Sequence, residues 1–106
     1  MKARFKDLAT QDGLDKVFDE SAERPALLFK HSDTCPISHD VFRSVSTVDS
    51  DIYLVVVQRS RDISNTLADR TGVPHQSPQA LILKDGICVF HASHYDINPE
   101  TLSKYI

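Results

Sequence analysis

The chain is expected to fold as an α/β domain with a central mixed β-sheet and helices on both faces. Three observations carry this. Helical and strand-like segments follow the order α-β-α-β-α-β-β-α across 106 residues. Strands joined through a helix lie parallel by a right-handed crossover. A glycine turn near the C-terminus then sends the last strand back antiparallel. The length fits one domain, residues 1–106, with a modest core that needs no metal or disulfide staple.

Each element has a local reason. Ala3 to Phe5 reads as a short leading strand. From Asp12 to Glu23, Leu14, Val17, Phe18 and Ala22 recur at helical spacing, with Thr10 as cap and Pro25 as stop. Ala26 to Lys30 is a continuous apolar run suited to a strand covered on both faces. Pro36 fits a first helical turn, where its missing N–H costs nothing, and Val41, Phe42 and Val45 supply that helix's inner face. Ile52 to Val57 is β-branched or aromatic at five of six positions. A helix follows from about Asp62 to Thr71, ended by Gly72. Gln79 to Leu83 and Ile87 to His91 form a hairpin around Lys84-Asp85-Gly86. Asn98 caps a terminal helix opened by Pro99.

Composition excludes several classes. A net charge of -3 with scattered basic residues offers nothing to nucleic acid or an anionic membrane. No stretch approaches the roughly 20 apolar residues that span a bilayer. Two cysteines are too few for a disulfide scaffold, and no export signal is visible, so a reducing cytoplasm is the expected location.

Chemistry concentrates in Thr34-Cys35-Pro36-Ile37-Ser38, between an apolar strand and a helix start. Unpaired N–H groups and the helix dipole favour negative charge there, and the thiolate is the nucleophile of sulfur exchange. Cys35 is therefore the expected nucleophile, with Pro36 opening its helix. Ser38, one turn on, is expected to donate a hydrogen bond to the thiolate, helped by the N–H groups of Ile37 and Ser38. Thr34 and Ile37 flank the nucleophile as expected substrate contacts. Cys88, in an apolar strand, is expected to be inert packing. His31, Cys35 and His39 stand four apart, and Cys88, His91 and His94 three apart, but neither spacing matches a zinc pattern, and no metal is expected.

A strand, Cys-Pro at a helix start and a proline opening the next-to-last strand resemble the thioredoxin fold, in which a cis-proline faces the active cysteine. Ser77-Pro78 stands at that place. The closer resemblance is to the monothiol bacilliredoxins, the YtxJ-like branch. It is carried by His31, Thr34-Cys35-Pro36-Ile37-Ser38, Gly72-Val73 to Ser77-Pro78-Gln79-Ala80 and His91-Ala92-Ser93-His94, in order along Lys30 to Asn98. Phe29 stands where thioredoxins carry a buried carboxylate. The chain has no Trp, and Ala92-Ser93 replaces the Gly-Gly turn of glutaredoxins.

The resemblance implies reduction of protein–bacillithiol mixed disulfides after oxidative stress. Bacillithiol would be a co-substrate, with no tightly bound cofactor. The partners implied are S-thiolated client proteins, plus a low-molecular-weight thiol or dithiol reductase for regeneration. It also implies that Ser77 presents its backbone to substrate beside Pro78; His94 and Tyr95 are expected to line the small-thiol pocket. Ser38 cannot expel a bound thiol as a second cysteine would, so regeneration must come from outside. Three other readings fit the residues: exchange of another small thiol, a redox-inert peptide-binding or adaptor module, and a metal-binding protein.

Overall fold

The computed structural model describes residues 2–106. Among the described residues there are five strands: β1 (Arg4–Asp7), β2 (Ala26–His31), β3 (Asp51–Val56), β4 (Gln79–Lys84) and β5 (Ile87–Ser93). They form one sheet in the order β1-β3-β2-β4-β5. β3 pairs parallel with β1 and β2, while β4 is antiparallel to β2 and β5. The helices are α1 (Gln11–Glu20), α2 (Pro36–Val45), α3 (Arg61–Thr71) and α4 (Pro99–Ser103).

Alternation along β2 divides the core in two. Leu28 faces Leu14, Val17 and Phe18 of α1 and Ile63 and Leu67 of α3. Leu27 and Phe29 face Val41 and Val45 of α2 and Leu102 of α4. All six residues of β2 are buried, as a strand with helices on both faces requires. The fold class read from the sequence is therefore the fold observed.

The expected caps are formed. Thr10 accepts from Gly13 N–H, and Asn98 accepts from Glu100 and Thr101 N–H. Gly72 ends α3 at φ 73°, a left-handed conformation that glycine adopts without a Cβ clash. Asp85 and Gly86 both have positive φ, the two-residue hairpin geometry that matches strand twist.

Boundaries differ where other partners compete for the backbone. β1 runs from Arg4 to Asp7, later than Ala3 to Phe5, because Ala3 N–H is spent on Ser46 O and pairing with β3 begins at Arg4 opposite Asp51. α1 ends at Glu20, not Glu23. Ser21 donates to Phe18 O and accepts from Gly86 N–H, tying the helix end to the hairpin. A short 3-10 turn, His94–Asp96, follows β5, with His94 at φ 55°.

Candidate functional site

The site forms where β2 ends and α2 begins. Cys35 is the N-cap of α2, in extended conformation, with Pro36 in the first turn and no side-chain capping bond from the sulfur. Its thiol is unpaired and half-buried. The α2 N-terminus thus directs free N–H groups toward this region while leaving the sulfur reachable.

The Ser38 hydroxyl does not take the expected role. Ser38 is fully buried and points back at the end of β2. Its Oγ accepts from Ser32 N–H at 3.0 Å and lies 2.7 Å from His31 Nδ1. His31 Nε2 faces the Asp33 carboxylate at 3.5 Å. With the ring proton on Nε2, beside that carboxylate, Nδ1 accepts from Ser38. In that tautomer the single hydroxyl proton is committed to the ring, and no hydrogen bond joins Ser38 to Cys35. Burial depresses the His31 pKa, the nearby His39 adds to this, and Asp33 opposes it. A neutral ring is what this arrangement needs.

A second anchor was not visible in the sequence. Gln58, just beyond β3, accepts from Asp33 N–H at 3.1 Å and donates to Ser32 Oγ at 2.8 Å and Thr34 Oγ1 at 3.2 Å. Thr34 is exposed beside Cys35, and Ile37 packs partly against the α2–α4 core.

Ser77 and Pro78 precede β4, and their peptide bond is cis. Pro78 is buried, and its carbonyl accepts from His94 N–H at 3.0 Å, joining the end of β5 to the start of β4. Tyr95 is 66% exposed and donates to Asp40 on α2 at 3.1 Å. The Asp40 bond raises the Tyr95 pKa first, with smaller contributions from desolvation and from the charges of Asp40 and Cys35. Among the expected contacts, Thr34 and Ile37 flank Cys35 at the start of α2, and Tyr95 reaches that helix at Asp40. Ser77, Pro78 and His94 belong to the adjoining β4–β5 end.

Cys88 packs on the α1–α3 face and donates to Phe90 O at 3.3 Å; burial raises its pKa. It pairs with Leu83, which pairs with Ala26 at the start of β2, whereas Cys35 follows the end of β2. Six residues of strand separate these levels by about 17 Å. Cys88 cannot serve Cys35 as a resolving thiol. A cleft of about 500 Å³, lined by Arg4, Glu20, Arg24 and Tyr53, also lies at that far end, away from the thiol.

Behind the sheet, Lys30 is fully buried on the α1–α3 side. Its amine donates to Ser64 O at 3.1 Å and lies 3.3 Å from His75 Nδ1, which also meets Ser64 Oγ at 3.0 Å. Desolvation lowers its pKa to about 8. This arrangement has no local signal, because Lys30 closes an apolar run and its partners come from distant segments.

A sheet of this order, with a half-exposed cysteine at a helix mouth, defines a thiol oxidoreductase of the thioredoxin fold with one cysteine in its motif. Residues 6–102 match the family described as Monothiol bacilliredoxin BrxC. The chain belongs to the monothiol bacilliredoxin family. It is similar to a solved structure described as a candidate oxidoreductase with a thioredoxin fold, at 33% identity and TM-score 0.85, covering 98% of this chain and 93% of that one. Thioredoxin from Trypanosoma brucei brucei superposes with TM-score 0.76 at 13% identity, covering 99% of this chain and 89% of that one. Thioredoxin from Fasciola hepatica gives 0.72 at 18% identity, covering 93% of each chain. The last two likenesses concern the fold alone.

Proposed function

We propose that this protein reduces mixed disulfides between proteins and bacillithiol, using Cys35 alone. The observation that carries the reading is the placement of one unpaired, half-exposed thiol at the N-cap of α2. The Cys35 thiolate attacks the bacillithiol sulfur of a modified protein. The Cys35–bacillithiol S–S bond forms, the protein–bacillithiol S–S bond breaks, and the electron pair leaves on the protein thiolate. A second thiolate, from a small thiol or a dithiol reductase, then attacks the bacillithiol sulfur bound to Cys35 and releases Cys35 as thiolate. Two exchanges leave no net change at the enzyme.

Thr34, Ile37 and the Ser77–Pro78 backbone form the protein-client side in this reading. His94 and Tyr95 form the small-thiol side. Bacillithiol is consumed as a co-substrate, and S-thiolated cytoplasmic proteins are the clients. Among the described residues no helix is long and apolar enough to cross a membrane.

The test is incubation with a purified bacillithiol-modified protein, followed by intact mass. The wild type should gain one bacillithiol on Cys35 as the client loses it, and Cys35→Ser should do neither. Equal rates on glutathione and coenzyme A mixed disulfides would remove the substrate assignment. Turnover by the Cys35→Ser variant would remove the mechanism.

A further inference from the structure

We propose that Gln58 is a positioning residue for the reactive thiol, acting as an outer clamp on the loop that delivers Cys35. The inference rests on Cys35 as the nucleophile, but not on the identity of its substrate.

The loop from Ser32 to Thr34 is the covalent link between the rigid end of β2 and Cys35. Cys35 makes no capping bond with its own side chain. Its orientation is therefore inherited from the backbone before it. One turn bond, Cys35 N–H to Ser32 O at 3.4 Å, is long and weakly constraining. The loop is held by three side chains instead, one of them His39, whose Nε2–H donates to Asp33 O at 2.8 Å. Inside, Ser38 Oγ accepts from Ser32 N–H. Outside, the Gln58 carboxamide uses both of its ends, accepting from Asp33 N–H and donating to the hydroxyls of Ser32 and Thr34.

The three bonds fall on three consecutive residues, so they fix direction as well as distance. A planar amide spanning them, together with His39 on Asp33 O, resists rotation of the Asp33–Thr34 peptide, which sets where the Cys35 sulfur points relative to the α2 N–H groups. Gln58 is itself placed by the sheet. Val57 N–H donates to His31 O at 2.9 Å, extending the β2–β3 pairing to the residue before the clamp. The side chain is exposed and packs into neither core, so its polar contacts are its contribution. Gln58 touches no sulfur and takes no part in the exchange itself.

The test uses Gln58→Ala and Gln58→Glu. A glutamate carboxylate can accept from Asp33 N–H and from both hydroxyls, so it keeps the clamp while reversing two donors. Three quantities are read: Asp33 amide exchange by NMR, alkylation of the Cys35 peptide across pH, and thermal midpoint. Gln58→Ala should speed Asp33 exchange about tenfold, slow Cys35 alkylation at pH 7 about three- to tenfold and move the alkylation profile to higher pH, with the midpoint nearly unchanged. Gln58→Glu should restore Asp33 protection.

Wild-type protection and alkylation in Gln58→Ala would overturn the clamp. Faster Asp33 exchange with an unchanged alkylation profile would overturn the positioning role. If the wild type fails to take bacillithiol from a modified protein while Gln58→Ala still displaces alkylation, the proposed function falls and this inference stands.

Discussion

Replacing Ser38 by Ala separates two roles for the residue that stands where a second cysteine would be. The substitution removes the acceptor of Ser32 N–H and the 2.7 Å partner of His31 Nδ1. Ser38 and His31 are both buried, so water cannot readily replace the lost contact between them. A buried polar group left without a partner costs about 1–3 kcal/mol. Ser32 is half-buried and can regain water, so its share falls at the low end. The expected loss of unfolding free energy is therefore about 2–4 kcal/mol. Urea denaturation at pH 7.5 measures it, and the pair Ser38→Ala with His31→Phe should be strongly non-additive, because both changes delete the same contact. Alkylation of Cys35 in the folded protein should slow about three- to tenfold, as for Gln58→Ala, because Ser38 holds the same loop from inside, and this slowing should come together with the loss of stability. Intact stability with markedly slower alkylation would refute the network and restore Ser38 as a thiolate donor.

Two further outcomes follow from buried groups on the other face. The Lys30 pKa, lowered by burial to about 8 from an ordinary value of 10.5, makes the folded state bind fewer protons than the unfolded chain between those limits. Stability contributed by Lys30 is thus fully present above pH 10.5 and lost as pH falls through about 8. At about 1.4 kcal/mol per pH unit the ceiling is about 3 kcal/mol, which relaxation and screening reduce to about 1–3. Denaturation of wild type and Lys30→Met from pH 7 to 10.5 should show the wild type gaining by this amount, and parallel profiles would sink the argument. Cys88→Ser should leave transfer of a small thiol to Cys35 unchanged, and mass analysis of oxidised wild type should find no Cys35–Cys88 disulfide; finding one would overturn the separation derived from strand register.

The architecture was legible because its signals are short-range. The apolar run of β2, the β-branched run of β3, the Thr10 and Asn98 caps and the Asp85-Gly86 turn each fix a local conformation, and their order leaves few topologies. Cys35 was legible for the same reason, since a Cys-Pro pair after a buried strand marks a helix mouth. What escaped depends on residues brought together from afar. Gln58 looks like an ordinary polar residue until the parallel pairing of β2 and β3 carries it beside the Ser32–Thr34 loop. His75 and Ser64 become partners of Lys30 only once α3 packs on the sheet. Ser38 lies on the expected turn of α2, but spacing gives no side-chain direction, and the nearby His31 ring offers it a better buried partner.

The hydrogen bonds around Cys35 also bear on how a lone sulfur can be recycled. A cysteine at position 38 would have to lie in the buried space that the Ser38 hydroxyl fills, against His31 and away from solvent. The serine turns that space into an anchor, and the loop it holds keeps Cys35 half-exposed. Any thiol carried on Cys35 must then extend outward, past exposed Thr34, since the inner side is occupied. An incoming thiolate meets the outer sulfur of such an adduct before it meets Cys35. In-line attack on that outer sulfur expels Cys35, whereas attack on the inner one would only exchange its burden. In the proposed cycle, holding Cys35 in this loop with one face open thus biases the second exchange toward a free enzyme, which is what a single-cysteine motif needs from its surroundings.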